Sequence, residues 1–215
     1  MERIQTLNTY RLDWTATRRR GINRMINAAD ASVVCVQECT PEMRTDIMAD
    51  TGLTAAHAAG NLAVLIKAKT WTVEHDNDIV LRTGADNRRA VAVVLKHRET
   101  GREVKVVNTH LTNLEGGGAA GEGWRLGQAA EILEAFTGID VLTGDFNSRR
   151  AVYSFLAGEG LYDMRERAVV EDESTGHNWI DNVLTRESID VLAGGVIPAD
   201  GTDHPSMWIR IGVEA

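Results

Sequence analysis

The sequence predicts an α/β fold in which two packed β-sheets carry their helices on the outside. Three observations lead there. The chain has 215 residues, 43% hydrophobic and 25% charged, which is the size and composition of one large globular domain with a well-buried core. Segments with strand character outnumber segments with helical spacing. The helical segments come singly between groups of strands, which favours two sheets with outer helices over a doubly wound parallel sheet. One domain covering residues 1–215 is expected.

Taken in order, Arg3 to Asn8 reads as a first strand, and Thr17 to Ala29 has helical spacing through Ile22, Met25 and Ile26. Ser32 to Gln37 is the next strand. Pro41 suits the first turn of a helix, where its missing N–H is not needed, and that helix runs to Asp50 before Gly52 stops it. Leu62–Ile66, Trp71–Val73, Ile79–Leu81, Ala90–Lys96 and Val104–Asn108 follow as strands, with Glu99-Thr100-Gly101-Arg102 as a hairpin-type turn between the last two. Glu115 to Gly123 holds five glycines in nine residues, a composition too flexible for a regular element, so a mobile loop is expected there. Trp124 to Phe136 reads as an amphipathic helix with Leu126, Ala129, Ala130 and Leu133 inward. A strand at Ile139–Thr143, a short helix at Ala151–Ala157 and strands at Asn178–Leu184, Ile189–Val196 and Ser206–Ile211 complete the pattern. No internal repeat is visible in the sequence.

The formal net charge of −8 argues against a tight, sequence-independent embrace of a long duplex, which depends on basic side chains displacing counterions. It does not exclude a nuclease, because a metal site concentrates acids. Arg18-Arg19-Arg20 reads as a solvated helix face and Arg88-Arg89 as a strand start, though either could meet phosphates. Cys35 and Cys39 are the two cysteines; their spacing matches no usual zinc motif and offers no disulfide framework. No apolar run has membrane-spanning length, and Met1-Glu2-Arg3-Ile4 lacks the apolar segment of a signal peptide. A cytoplasmic monomer with no membrane partner is expected.

Polar residues with useful chemistry recur at the ends of apolar strands: Asn8, Glu38, Asn108 with His110, Asp145 with Asn147, Asp181, and Asp203 with His204. Each alone is ordinary turn chemistry; their shared position is the signal. A hard divalent cation takes oxygen ligands, usually one or two carboxylates with water and substrate phosphate. Glu38 is the best candidate ligand, with Asn8 and Asp203 as neighbours. Hydrolysis of a phosphate ester also needs a nucleophilic water and stabilisation of charge on the phosphate oxygens. Asp145 would take the proton from that water while Asn147 orients it, and His204, held cationic by Asp181, would contact the phosphate.

The ordered set Asn8, Gln37-Glu38, Asn108-Thr109-His110-Leu111, Gly144-Asp145-Phe146-Asn147, Trp179-Ile180-Asp181 and Thr202-Asp203-His204-Pro205 resembles the endonuclease/exonuclease/phosphatase (DNase I-like) superfamily across nearly the whole chain. Arg125 and Gln128 match the usual Arg and Gln of that superfamily at this place. The resemblance implies a four-layer α/β/β/α sandwich of two mixed sheets with outer helices, and a magnesium or manganese site at one edge. It implies Glu38 as principal metal ligand with Asn8 and Asp203 close by. Asp145, Asn147, Asp181 and His204 would be catalytic, His110 would act as a second imidazole, and Asn8, Asn108 and Arg125 would stand at the substrate. Tyr10 and His110 depart from the abasic-site endonuclease pattern and place the chain nearer the branch of pancreatic-type deoxyribonucleases, sphingomyelinases, deadenylases and tyrosyl-DNA phosphodiesterases. In pancreatic-type nucleases an additional Glu supports that histidine; Asp86 or Asn87 would take its place here. The expected function is a divalent-metal-dependent phosphodiesterase acting on nucleic acid. The alternatives are a phosphatase or phosphodiesterase for a small or lipid-linked phosphate ester and, more remotely, a non-catalytic binding module on the same fold.

Overall fold

A computed structural model describes residues 1–10, 13–84, 86–113, 119–148, 150–167 and 180–214. One sheet has the order β11 (Val191–Ile197), β12 (Ser206–Ile211), β1 (Glu2–Asn8), β2 (Val33–Gln37), β4 (Leu62–Ile66) and β3 (Thr54–Ala59). The other has β5 (Trp71–Val80), β6 (Arg89–His97), β7 (Glu103–His110), β8 (Val141–Asp145), β10 (Asp181–Arg186) and β9 (Leu161–Asp163). Helices α1 (Ala16–Ala29) and α2 (Pro41–Thr51) cover the first sheet, α3 (Ala119–Ala135) and α4 (Ala151–Gly158) the second, and α5 (Met164–Arg167) is a single turn. The expected four-layer sandwich of two mixed sheets is the observed architecture.

Both sheets are wired in the same way. In the first, β1 and β2 are parallel, β2 is antiparallel to β4, and β4 to β3. In the second, β7 and β8 are parallel, β8 is antiparallel to β10, and β10 to β9. A parallel pair cannot be joined by a tight hairpin and needs a crossover; α1 supplies it in the first sheet and α3 in the second. This internal repeat exists in the pairing pattern, where sequence inspection cannot find it.

Among the described residues, three apolar clusters hold the layers. Ile4, Val33, Val64, Val93, Val106, Val141 and Val183 fill the space between the sheets. Ile22, Met25 and Ile47 seal α1 and α2 onto one sheet, while Ile132, Val152 and Leu156 seal α3 and α4 onto the other. Local signals start the helices: the hydroxyls of Thr15 and Thr40 cap α1 and α2, and Pro41 opens α2. No described helix is long and apolar enough to cross a membrane.

Four expectations need correction. β3 was not predicted, because Thr54-Ala55-Ala56-His57-Ala58-Ala59 lacks the bulky residues that mark strands. The strands expected at Trp71–Val73 and Ile79–Leu81 are one strand, β5; its polar middle, Glu74 to Asp78, is exposed because β5 is a sheet edge. α3 starts at Ala119 and includes Gly121 and Gly123, so the expected loop is helical in its second half, while residues 115–118 lie outside the described residues. β9 and α5 were also unforeseen. Asn178 and Trp179 lie outside the described residues; β10 begins at Asp181.

Candidate active site

Side chains alternate between the faces of a strand, so every second residue of an inner strand points into the space between the sheets. Along these inward stripes the residues are apolar in the middle of the sandwich and become polar toward one edge. Ile4-Thr6-Asn8 on β1, Val33-Cys35-Gln37 on β2, Val106-Asn108-His110 on β7, Val141-Thr143-Asp145 on β8 and Val183-Asp181 on β10 all do so. The parallel strands β7 and β8 end side by side, with His110 opposite Asp145, and antiparallel β10 starts there, with Asp181 also opposite Asp145. Strand direction thus delivers residues far apart in sequence to one edge.

Gly144 makes the end of β8 possible. Its φ is +148, and a Cβ there would lie 2.0 Å from the carbonyl oxygen of Thr109 on the neighbouring strand. Beyond it, Phe146 is buried, its ring is T-shaped against Tyr153 at 5.5 Å, and its backbone N–H donates to Ile180 O at 2.7 Å. The turn is thereby anchored on the helix side. Asn147, in the left-handed region at φ 48, donates its N–H to Asp145 Oδ1 (2.9 Å) and its Nδ2 to Leu111 O (3.0 Å).

Asp145 and Asp181 are buried, and ligand atoms of Asp145, Asp181 and His204 all lie within 4.8 Å of one another. His204 Nδ1 and Asp181 Oδ2 are 2.7 Å apart. Asn8 Nδ2 donates to Asp145 Oδ2 at 3.0 Å and, more weakly, to Glu38 Oε1 at 3.4 Å, linking the carboxylates. Glu38 stands in the left-handed region at φ 54, which turns it out of the β2 register. His110 Nε2 lies 3.6 Å from Asp145 Oδ2, and the exposed Asp203 carboxylate lies 3.8 Å from His204 Nε2.

The two imidazoles differ in charge. Burial, with help from the Arg88 charge, depresses the His110 pKa to about 3, so the ring is neutral and its contact with Asp145 is polar rather than ionic. Burial also disfavours charge on His204, but the Asp181 hydrogen bond and the surrounding carboxylates outweigh it and raise that pKa to about 9. Burial, reinforced by the Asp181 charge, pushes the Asp145 carboxyl up to about 7. These directions describe the metal-free protein.

A histidine whose folded pKa exceeds its unfolded value contributes stability below the unfolded pKa, about 6.5, and loses it as pH rises through the folded value. The metal-free protein is therefore expected to lose up to about 3 kcal/mol from the His204–Asp181 pair between about pH 6.5 and 9. Urea unfolding in EDTA at the two pH values checks this; His204→Gln should flatten the difference.

Two expected substrate residues are used elsewhere. Asn108 is fully buried one step deeper than His110, donating to Val36 O (2.9 Å) and Ala63 O (3.0 Å) and accepting from Gln37 Nε2 (2.6 Å), so it stitches the sheets together. Arg125 is buried against Glu122 (Nη2 at 2.6 Å) and donates to Thr112 O (3.2 Å); Glu122 accepts from Ser148 Oγ (2.6 Å), which braces the turn after Asn147. Both side chains are buried and turned to these protein partners. Asp86, one candidate partner of His110, instead bonds Thr112 and Arg88.

Arg18, read from sequence as a solvated face, is a clamp. Its Nε donates to Gly201 O at 2.7 Å and its Nη2 to Thr9 O at 2.7 Å and to Tyr10 O. Thr202 Oγ1 donates to Asn8 O at 2.9 Å. These bonds tie the loop after β1, which carries Asn8, to the loop that carries Asp203 and His204. Their acceptors are backbone carbonyls, so no side-chain pattern announces them.

An open cleft of about 650 Å³ adjoins the cluster, lined by Glu38, Asn61, Asn87, Arg88, Arg89 and His110 among others. Buried carboxylates, a cationic and a neutral imidazole, and a polar cleft with arginines form an arrangement suited to acid–base work on a phosphate.

The fold recurs in known structures. A conserved protein of unknown function from Enterococcus faecalis V583 superposes with a TM-score of 0.83 at 20% identity, covering 99% of this chain and 100% of its own. A mannosyl-6-phosphatase from Bacteroides thetaiotaomicron VPI-5482 gives 0.78 at 16% identity, covering 99% and 100%. TDP2 from D. rerio, crystallised with a single-strand DNA product, gives 0.77 at 14%, covering 98% of each chain. No curated protein matches the sequence. A sequence model of the Endonuclease/Exonuclease/phosphatase family matches residues 6–204, which takes in every cluster residue from Asn8 to His204. With the sandwich, the ordered motifs and this match in agreement, the chain belongs to the Endonuclease/Exonuclease/phosphatase family.

Proposed function

We propose that the chain is a divalent-metal-dependent phosphodiesterase that cleaves nucleic acid. Members of its family hydrolyse phosphoester bonds and are typically divalent-metal dependent. The observation that carries the reading is the convergence of Asp145, Asp181 and His204 beside an open cleft with arginines on its wall. The donor set fits magnesium or manganese: Glu38, Asn8 and Asp203 offer hard oxygen ligands, and Glu38 is linked to Asp145 through the Asn8 amide, which donates to both carboxylates. Glu38 is proposed as the principal ligand of the ion, with Asn8 and Asp203 close to it. The bound ion would supply Lewis acidity and a more acidic water.

The protein's own groups divide the remaining work. Asp145, with its pKa near neutrality, receives the proton of the attacking water. Asn147 fixes the Asp145 rotamer through its backbone N–H and helps orient the water. His204, held cationic by Asp181, donates its Nε2 proton toward the phosphate oxygens where charge builds up. His110 is a neutral hydrogen-bonding group on the cleft side of Asp145.

A small phosphate ester is the second reading, favoured by the cleft's mixed charge: Arg88 pairs with Asp86 and Arg89 with Asp78, and Glu38 lines the same wall. The fold is shared with a mannosyl-6-phosphatase as well as with TDP2, so fold does not choose between them. The deciding experiment is a panel of supercoiled plasmid, single-stranded DNA, RNA, a chromogenic phosphodiester and a phosphomonoester with magnesium or manganese. Polynucleotide cleavage supports the leading reading, and turnover confined to the monoester replaces it with the phosphatase. Magnesium should also stabilise the fold by about 2.7 kcal/mol at a hundred times its dissociation constant. An unchanged melting temperature on saturating magnesium would count against the metal.

A further inference from the structure

Arg88 is held in an unusual way. Its Nε donates to Asp86 Oδ2 at 2.7 Å, and Asp86 Oδ1 accepts from Thr112 Oγ1 at 2.7 Å. Thr112 is fully buried and bonded in turn to Gln128, whose Nε2 donates to its hydroxyl at 2.6 Å and whose Oε1 accepts its N–H at 3.0 Å. One edge of the guanidinium is thus rooted through three side chains in α3. Among the described residues its two η nitrogens have no partner, and the side chain, 23% exposed, lines the cleft shared with His110.

Stability does not account for this arrangement, because a partly exposed Arg–Asp pair contributes little. An arginine anchored by Nε and open at both η nitrogens presents a parallel N–H fork that matches two oxygens of a phosphate. Arg89 differs: it spends Nη1 on Asp78 of the edge strand β5.

We propose that Arg88 grips a second phosphate of the substrate, the one adjoining the phosphoester cleaved at Asp145, Asp181 and His204. The substrate then carries phosphates on consecutive units, as a nucleic-acid strand does. This inference rests on the phosphodiesterase reading of the site and deepens it. Asp86 is a positioning residue in this scheme, acting through Arg88.

The test uses the full chain in an Asp145→Asn background, to hold cleavage off, with magnesium present. Binding of a fluorescein-labelled single-stranded DNA oligonucleotide is followed by anisotropy. Adding Arg88→Ala should weaken binding about 10- to 100-fold, the scale of a lost charge-assisted bidentate contact. Arg88→Lys, with a point charge and no fork, should fall between. In the otherwise wild-type chain, Arg88→Ala should slow hydrolysis of bis(p-nitrophenyl) phosphate, which has one phosphate, at least tenfold less than it slows oligonucleotide cleavage. Unaltered oligonucleotide affinity, no binding by the Asp145→Asn parent, or an equal loss on the one-phosphate ester would each overturn the proposal. Arg88-dependent binding by a wild type that hydrolyses neither substrate would support the grip and remove the hydrolase reading.

Discussion

Asp145→Asn is expected to lower phosphodiester turnover by about 10²- to 10⁴-fold, the range associated with a positioned acid–base group. The exchange keeps the volume of a buried side chain and keeps an oxygen to accept the Asn147 N–H, now at 2.9 Å. It removes the group that takes the proton. The new Nδ2 faces Asn8 Nδ2, which presently donates to Asp145 Oδ2 at 3.0 Å, so Asn8 must turn away and the link between Asp145 and Glu38 opens. The loss should appear in kcat, with circular dichroism and cooperative unfolding retained. A folded Asp145→Asn protein with near wild-type kcat would take Asp145 out of the chemistry.

Gly144→Ala is expected to have the largest effect on the fold. A methyl group at that position would lie 2.0 Å from the Thr109 carbonyl oxygen, and φ +148 is itself unfavourable for an L-residue. Relief by movement is blocked on both sides, because β8 is hydrogen-bonded to β7 and β10 inside the sheet. A cost above about 4 kcal/mol, exceptional for one substitution and a large part of a domain's stability, is expected. Gly101→Ala is the control: φ is +74 but nothing lies within 4 Å, so only backbone strain of about 1 kcal/mol applies. Comparable urea midpoints for the two variants would show that the close approach of the strands is not what requires glycine at 144.

Much of this site could be read in the sequence because its polar residues interrupt apolar strands at their ends. Asp145, Asp181 and His204 stood out for that reason, while the two packed sheets followed from the order of strands and helices and the four layers from the family resemblance. Asn108 stood out equally and was misplaced, since a strand-end amide looks the same in sequence whether it faces solvent or, as here, the opposite sheet. The inward stripes would have separated the two cases: Asn108 lies one dyad deeper than His110 on the same face. What sequence could not carry was pairing between distant backbones. The contact that demands glycine at 144, the carbonyls gathered by Arg18 and the repeated sheet topology all arise from strand neighbours chosen by the fold. Edge strands were the other blind spot, because β3 is small-residue and β5 polar in the middle, and neither alternates.

The most direct test of the central claim is the initial rate of oligonucleotide cleavage by the wild-type chain as magnesium or manganese is titrated, before and after EDTA, beside Asp145→Asn. A rate that saturates with metal, vanishes with EDTA, returns on adding metal back and is lost in the variant is the predicted result. Cleavage indifferent to EDTA, or equal in the variant, would contradict a metal-dependent site built on Asp145, Asp181 and His204.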